Sequence, residues 1–196
     1  MKNLCCRGQA YEEVKSETCF IKTGAKMAKK LNIRYLNPNP GEINKVSEQI
    51  MVSYTSAYRG LMDHKYLSSL VGNHWVSILQ ERVRLGDICL VAEIDGKIIG
   101  SAVFSVVNHL KKTYAEWHAF YLLPEYTGKG FGHLFYQKIE QDMIARGCGY
   151  CILEVLSTNE RAKKFYVSHG FFRIETFKVE ENGMILLCDQ MKKAFI

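Results

Sequence analysis

The sequence predicts a mixed α/β fold in which helices pack against a sheet, and three observations support this prediction. Apolar residues recur at helical spacing over residues 42–58, where Ile43, Val46 and Ile50 would share one face of a helix. The β-branched segments ICLVAEI and KIIGSAVFSVV flank an Asp-Gly pair, which favours the tight primed turn of a β-hairpin. A further strand, YAEWHAFYLL, leads through a glycine-rich turn into the amphipathic segment HLFYQKIEQDMIARG.

The rest of the chain continues this mixture of helices and strands. We predict a short strand for NIRYL, ended by NPNPG, and helices for DHKYLSSL and HWVSILQERV. After the glycine-rich turn and its helix come the strand YCILEVL, the helix NERAKKFYVSHG and the strands FFRIETFKV and MILLCDQM. Residues 1–30 lack a clear period and are interpreted as an N-terminal extension, with a helix near GAKMAKKL. Residues 31–196 are predicted to form one domain.

Composition excludes several classes of protein. The chain has 196 residues, of which 47% are hydrophobic and 23% charged, as in an ordinary globular protein. Its apolar runs are all shorter than the roughly eighteen residues of a membrane span. The N-terminal segment has acidic residues and lacks the apolar stretch of a secretory signal. We therefore expect a cytoplasmic protein without a membrane partner.

The net charge bears on the choice of ligand, and the cysteine content bears on disulfides and metal sites. The net charge of +6 suits an anionic ligand, but the basic residues are dispersed apart from a small lysine cluster in residues 22–30. Such a cluster usually forms a solvated surface, so nucleic-acid binding is the least favoured function. The seven cysteines are an odd number without repeated spacing, which indicates reduced thiols. Cys148 and Cys151 form a CxxC pair without a second ligand pair, so we interpret Cys151 as an apolar residue of a buried strand.

The segment PEYTGKGFG has glycine at alternate positions, Gly128, Gly130 and Gly132, between a strand and a helix. Glycine loses more backbone freedom on folding than other residues, so a turn with three glycines is costly to order. We interpret the absence of side chains as a means for main-chain N–H groups to approach a ligand closely. The first turn of a helix leaves N–H groups unpaired and favours negative charge, so we predict a pyrophosphate site. The P-loop pattern does not fit, and the dinucleotide fingerprint would require glycine in place of His133.

Two segments in order resemble motifs of the GNAT superfamily of N-acetyltransferases. AEWHAFYLLPEYTGKGFGHLFYQKIE resembles the acetyl-CoA-binding motif, Q/R-x-x-G-x-G/A after a strand, and LEVLSTNERAKKFYVSHGFF resembles the motif that follows it. The resemblance covers roughly residues 32–191. It implies the family's fold, a central mixed, mostly antiparallel sheet flanked by helices and splayed at the acetyl-CoA site. It also implies an N-acetyltransferase that moves the acetyl group of acetyl-CoA to a primary amine by direct attack in a ternary complex.

The resemblance implies a set of acetyl-CoA-binding residues. The pyrophosphate would meet the main chain of the glycine-rich turn, and the pantetheine arm would pair with a strand edge beside Asn159. The family usually has Gln or Arg where this chain has Thr127, and Lys129 can supply cationic attraction in its place. The implied residues are Phe120, Tyr121, Leu122, Thr127, Gly128, Lys129, Gly130, Phe131, Gly132, His133 and Asn159.

The implied catalytic residues are Glu116 and Tyr166. Tyr166 matches the family's tyrosine that protonates the leaving thiolate, and the alternative is a core aromatic. Glu116 stands where some members keep a glutamate as general base acting through water, and the alternative is an exposed carboxylate without a role. His118 would share the strand face of Glu116 and serve as base or relay, although structural histidines are commoner. The other histidines lack metal-ligand spacing and the family needs no metal, so none is expected.

The acceptor is the least determined part of the interpretation. Tyr54, Tyr58, Tyr66 and Trp75 could line a pocket for a small amine, an antibiotic or a peptide amine, but aromatic residues at helical spacing more often belong to the core.

Two questions stay open at this point. The alternative function is a catalytically weak or silent acetyl-CoA-binding sensor, which Thr127 favours and which Tyr166 and Asn159 disfavour. A homodimer is compatible with the resemblance.

Overall fold

The computed structural model describes residues 17–23, 26–181 and 183–195, with side chains from residue 30 onward except at residue 181. These residues form one sheet of eight strands in the order β1-β2-β3-β4-β5-β6-β8-β7. The strands are β1 (Glu17–Thr23), β2 (Lys26–Tyr35), β3 (Ile88–Ile94), β4 (Lys97–His109), β5 (Lys112–Leu122), β6 (Tyr150–Leu156), β7 (Phe172–Glu181) and β8 (Met184–Ala194). The helices are α1 (Pro40–Tyr58), α2 (His64–Ser69), α3 (Val76–Arg84), α4 (Phe131–Ala145) and α5 (Glu160–Ser168).

The sheet is mostly antiparallel, and only β5 and β6 run parallel among the described neighbouring strands. Helix α4 packs on one face through Phe135 and Ile139, which are fully buried. Helix α1 packs on the other face through Val46 and Ile50. The predicted fold class is therefore confirmed. In the parts of the chain that the structure describes, no helix has both the length and the apolar character that a membrane span requires.

The local signals of the sequence predicted α1 and the β3–β4 hairpin correctly. Asn39 caps α1 by accepting a hydrogen bond from the N–H of Glu42 at 2.9 Å, and Pro40 occupies the first turn, where it removes no helical hydrogen bond. At the hairpin turn, Asp95 and Gly96 have φ angles of 49° and 77°, as the primed turn requires.

The helix expected near GAKMAKKL is wrong where the structure describes that segment, because residues 26–31 belong to β2. Leu31 and Ile33 are buried whereas Lys30 is exposed, which is the two-residue period of a strand. β3 supplies hydrogen-bonding partners along this segment, with Ile33 opposite Ala92, and this pairing outweighs the helix propensity of alanine and lysine. β1 also falls within the expected extension, and β2 crosses its predicted limit at residue 31.

The cysteines of the CxxC pair are both buried, and Cys151 on β6 is 0% exposed. Burial raises the pKa of the Cys151 thiol, so it stays protonated and apolar in the core. The interpretation of Cys151 as a core residue is confirmed. Residues 1–16 and most side chains of the lysine cluster lie outside the described residues.

A buried carboxylate anchors the connection between β6 and α5. Asp189 on β8 is 2% exposed, and its Oδ1 accepts hydrogen bonds from the hydroxyls of Ser157 at 2.8 Å and Thr176 at 2.7 Å. Lys163 on α5 lies 3.4 Å from the other carboxylate oxygen and donates to the carbonyl of Ser157 at 2.7 Å. The hydrogen bond from Thr176 is the first cause of the lowered pKa of Asp189, with Ser157 and Lys163 contributing. The loop that leads into α5 is thereby tied to β7 and β8.

We expect Asp189→Asn to lower the free energy of unfolding by about 2 kcal/mol at pH 7, because two hydroxyls and an ammonium lose their charged partner. Urea unfolding at several pH values measures this. Since folding lowers the pKa of Asp189, its contribution is present above the unfolded-state pKa and is lost as pH falls through the folded-state pKa. The two proteins should therefore converge in acid. Glu175→Gln, at an exposed position of β7, is the matched control and should change stability by less than about 0.5 kcal/mol. Equal stability of Asp189→Asn and wild type at pH 7 would contradict the prediction.

Candidate active site

The parallel strands β5 and β6 separate part-way along their length. They pair only from Ala115 opposite Cys151 to Trp117 opposite Leu153. Within the described residues, no strand pairs with the β6-facing edge of β5 beyond Trp117. The backbone N–H and C=O groups of this edge can therefore hydrogen-bond to an extended ligand. The separation opens a gap in the middle of the sheet.

A β-bulge in β5 lies where the strands part. Val103 of β4 pairs with Ala119 and Phe104 with Trp117, so His118 has no opposite residue. The indole N–H of Trp117 donates to the carbonyl of Ala119 at 2.9 Å and holds the bulge. Because a bulged strand bends and twists more strongly, it carries the end of β5 away from β6.

The glycine turn, defined here as residues 127–133, joins β5 to α4 after a short 3-10 helix, Pro124–Tyr126. Gly128 and Gly130 have φ angles of 70° and 85°, a left-handed conformation that favours glycine. Gly130 is the N-cap of α4 and no side chain caps the helix. The first helical bond runs from the N–H of Leu134 to the carbonyl of Gly130, and the amides of residues 128–133 donate to no acceptor in the described part of the chain. Together they form a group of unpaired donors, called the N–H cradle below, of the kind that can bind an anion.

The side chains of the turn leave this cradle bare. The hydroxyl of Thr127 donates to the carbonyl of Pro124 at 2.7 Å, and the ammonium of Lys129 donates to the carbonyl of Glu125 at 2.7 Å. The ring of Phe131 is 2% exposed and packs in the core. The groups of the turn that have no partner within the described residues, and that can therefore bind an anion, are main-chain N–H groups and not these side chains.

A cleft of about 920 Å³ runs from the glycine turn along the gap between β5 and β6 to the end of α1. Of the residues implied by the resemblance, those that line it are Phe120, Tyr121, Leu122, Thr127, Gly128, Gly130, Gly132, His133, Asn159 and Tyr166. Glu116, Lys129 and Phe131 are not among its lining residues. Most of the implied site therefore converges on one cavity, although its members come from separate elements.

Asn159 and Tyr166 reach the cleft from α5. The Oδ1 of Asn159 accepts from the N–H of Ala162 at 3.1 Å and so caps the helix, which leaves its NH₂ group as the donor available to a ligand. The ring of Tyr166 packs edge-on against Trp117, with centroids 5.7 Å apart, and against Phe171 at 5.7 Å. Desolvation by burial, with a smaller effect of Tyr58, raises the pKa of Tyr166, so its hydroxyl keeps its proton at neutral pH.

Glu116 and His118 differ in their access to the cleft. The carboxylate of Glu116 accepts from the hydroxyl of Tyr114 at 3.3 Å, whereas His118 lines the cleft with its Nε2 2.7 Å from the hydroxyl oxygen of Ser105. Partial loss of hydration lowers the pKa of His118, and the positive charge of Arg82 lowers it further. The negative charges of Asp87 and Glu116 oppose this shift but do not cancel it. The imidazole is therefore neutral near pH 7 and can accept a proton.

The cleft also contains ionisable residues to which the sequence analysis assigned no role. They are Arg59, Glu154, Glu160, Arg161 and His169. Glu154 follows Leu153, the last residue of β6 that pairs with β5, and its exposed carboxylate has no hydrogen bond or ion pair within the described residues. The signal that would have found it is a single carboxylate within the otherwise apolar segment YCILEVL.

The aromatic residues proposed for an acceptor pocket divide between core and cleft. Tyr58, at the end of α1, lines the cleft and hydrogen-bonds to Tyr121. Tyr54 is 9% exposed and packs against Trp75 with ring centroids 5.2 Å apart. Tyr66 packs against the same cluster of buried side chains under α1, to which Tyr54 belongs. Within residues 17–23, 26–181 and 183–195, no three His, Cys, Asp or Glu side chains are grouped as metal ligands.

Comparison with known proteins decides the family. The sequence model of the acetyltransferase (GNAT) family matches residues 53–171. An uncharacterized N-acetyltransferase of Archaeoglobus fulgidus is 32% identical over 128 residues, which are 63% of this chain and 84% of that protein. The chain belongs to the GNAT acetyltransferase family. The resemblance that the two motifs indicated is thus confirmed.

Solved GNAT structures share the fold. The PaiA N-acetyltransferase from Thermoplasma acidophilum, in complex with coenzyme A, superimposes with a TM-score of 0.67 at 24% identity, covering 84% of this chain and 99% of that one. The putative acetyltransferase yncA from Salmonella typhimurium, with acetyl-CoA, superimposes with a TM-score of 0.61 at 18% identity, covering 84% and 93%. At these identities the likeness concerns the fold alone.

Proposed function

We propose that this GNAT-family chain transfers the acetyl group of acetyl-CoA to the nitrogen of a primary amine, with both substrates bound in the cleft at once. The observation that carries the proposal is the continuity of one cavity from the unpaired N–H cradle of the glycine turn, along the free edge of β5, to Tyr166 and His118. A phosphate-binding end and a proton-transfer end are what an acyl-CoA substrate and an amine require.

The described residues fit acetyl-CoA. Its pyrophosphate needs several hydrogen-bond donors, and the amides of residues 128–133 are unpaired among the described residues. A Cβ on Gly132 would lie 3.6 Å from the ring of Phe165, so this glycine leaves space beside the cradle. The pantetheine arm carries amides, which the edge of β5 at Phe120 to Leu122 and the NH₂ of Asn159 can bind.

The protein's chemical task is proton transfer. Acetyl-CoA supplies an acetyl group already activated as a thioester. As the C–N bond forms and the C–S bond breaks, the amine nitrogen loses a proton and the sulfur gains one. We assign the donor to Tyr166, because it lines the cleft and its hydroxyl carries a proton at neutral pH.

Three groups can take the proton from the amine. His118 and Glu154 line the cleft, and Glu116 lies on the same face of β5 as His118 and would act through water. We assign the direct role to His118, because its lowered pKa leaves it neutral near pH 7 and Ser105 fixes its ring. Glu116 would then raise the proton affinity of His118 as a nearby negative charge.

A catalytically silent acetyl-CoA-binding protein is the second candidate, supported by Thr127, whose hydroxyl is engaged with Pro124 where the family usually has Gln or Arg. Turnover separates the two candidates. We expect acetyl-CoA mixed with polyamines, aminoglycosides, amino acids and lysine peptides to release CoA thiol with at least one class, saturably and above the rate without amine. Tight binding of acetyl-CoA without release in the presence of any amine would favour the silent protein.

We expect Gly132→Val to weaken acetyl-CoA binding at least about tenfold, since its branched side chain would occupy the space beside the N–H cradle. Calorimetric titration measures the affinity and thermal unfolding verifies the fold. Gly149→Val is the matched control, because a Cβ there also meets only an ordinary contact, 3.8 Å from the carbonyl of Thr113, outside the cleft. Unchanged affinity in a folded Gly132→Val protein would place the pyrophosphate elsewhere.

We expect Tyr166→Phe to lower kcat by about tenfold to a hundredfold with little change in acetyl-CoA affinity, because the ring still packs against Trp117 and Phe171. Single-turnover kinetics isolates the chemical step, and full activity there would make Tyr166 a packing residue.

In the same assay His118→Asn, Glu154→Gln and Glu116→Gln identify the base. The variant that removes the base has a deficit that shrinks as pH rises, because the amine then loses its proton unaided.

A further inference from the structure

Two histidines from different helices meet at the rim of the cleft. His133 lies in the first turn of α4 and His169 at the end of α5, and both line the cavity. The Nδ1 of His133 is 2.9 Å from the Nε2 of His169, and the ring centroids are 5.1 Å apart. The sequence separates these residues by 36 positions, so only the fold brings them together.

The hydrogen bonds around the pair determine where its protons lie. The Nδ1 of His169 is 2.7 Å from the carbonyl oxygen of Phe165, which can only accept, so this nitrogen carries a hydrogen. In neutral His169 the Nε2 is then an acceptor, and the Nδ1 of His133 donates to it. The Nε2 of His133 has no hydrogen-bond partner among the described residues and carries the lone pair.

This arrangement accepts one proton without losing its internal hydrogen bond. Protonation of His133 at Nε2 leaves its Nδ1–H donating to His169 and creates a new N–H donor at the cleft. A second proton, on the Nε2 of His169, would face the Nδ1–H of His133 and break the pair. The two rings therefore act as a single site for one positive charge.

The charges that surround the pair do not neutralise such a proton. On α4, Tyr136 packs its ring 4.2 Å from that of His169 and donates its hydroxyl to Glu140, which is ion-paired with Lys193 of β8. On α5, the hydroxyl of Ser168 is 3.2 Å from the Nδ1 of His169.

The other charged groups around the cleft are engaged elsewhere or make no contact with the pair. Glu160 of α5 pairs with Lys163 at 2.7 Å, and in the glycine turn Lys129 is bound to the carbonyl of Glu125. Glu154 and Arg161 also line the cleft, but within the described residues neither forms a hydrogen bond or an ion pair with His133 or His169. A phosphate at the N–H cradle would place negative charge beside His133, at the N-terminal end of α4, and would stabilise a protonated imidazole there.

We propose that the His133–His169 pair is a proton-linked phosphate contact that takes up a proton when the cofactor binds and makes acetyl-CoA affinity fall as pH rises. The pair supplies the cationic contact that Thr127 does not provide. The inference rests on the proposed function, since it requires acetyl-CoA in the cleft. It assigns the side chains of both histidines, beyond the main-chain N–H of His133.

Calorimetric titration from pH 6 to pH 8.5, in two buffers of different ionisation enthalpy, measures affinity and proton uptake together. The probe is the acetyl thioester of 3′-dephospho-CoA, because the 3′-phosphate monoester itself titrates near pH 6 and would obscure the protein's proton. We expect affinity to fall about tenfold across this range, as for one histidine proton, with net uptake near pH 7. Intact acetyl-CoA then shows which phosphate is contacted. Linkage with both probes identifies the pyrophosphate, whereas linkage that appears only with intact acetyl-CoA and is lost in His133→Asn identifies the 3′-phosphate.

Three variants make the result specific to the pair. His133→Asn should bind more weakly and lose both the pH dependence and the proton uptake, whereas His133→Lys should bind tightly at every pH because its charge is permanent. His109→Asn, at an exposed position at the end of β4 outside the cleft, should behave as wild type. Thermal unfolding of each variant verifies that it is folded.

The outcomes distinguish this inference from the proposed function. Binding without proton uptake with either probe, or uptake that persists in His133→Asn, overturns the role of the pair and leaves acetyl-CoA binding intact. Absence of acetyl-CoA binding at every pH in a folded protein overturns the proposed function itself, and the inference with it.

Discussion

The site depends on the interruption of backbone pairing between β5 and β6. A sheet normally satisfies every interior N–H and C=O group with a neighbouring strand, and here that pairing stops after Trp117 and Leu153. The bulge at His118, held by the indole of Trp117, bends β5 and keeps the gap open. The polar edge that results is tolerated because it faces the open cleft, where water or an amide-containing ligand can take the place of the missing strand.

The gap organises the groups on either side of it. The bulge puts His118 on the face of β5 near α3, with Ser105, while Tyr166 approaches from α5 on the other face against Trp117. The proposed proton acceptor and donor therefore flank the gap, His118 held by its contact with Ser105 and Tyr166 by packing against Trp117. The buried Asp189 ties down the β6–α5 loop, so the helix that carries Asn159 and Tyr166 is fixed relative to the sheet.

Main-chain and side-chain contacts divide the work of anion binding in the proposed complex. The N–H cradle of residues 128–133 needs no charge and is insensitive to pH, which suits a contact that must always be present. The imidazole pair adds a charge that depends on protonation, and its two members come from the helices on either side of the cleft entrance. Thr127 is accordingly free to stabilise its own turn through Pro124.

Local sequence signals predicted α1, the β3–β4 hairpin and the strand–glycine turn–helix unit, because caps, Asp-Gly turns and apolar periods act over a few residues. Local signals do not reveal which distant segments pair as strands. Residues 26–31 carry helix-favouring lysine and alanine, yet they form β2 because β3 offers them hydrogen-bonding partners. The same limit applies to the site. The sequence by itself determined the family motifs, the glycine turn and the identities of Asn159 and Tyr166 as candidates. The tertiary structure alone decided that His118 and Glu154 line the cleft while Glu116 does not, and that His133 meets His169. These facts depend on a bulge and on helix packing between residues far apart in the chain, and no local pattern encodes such distances.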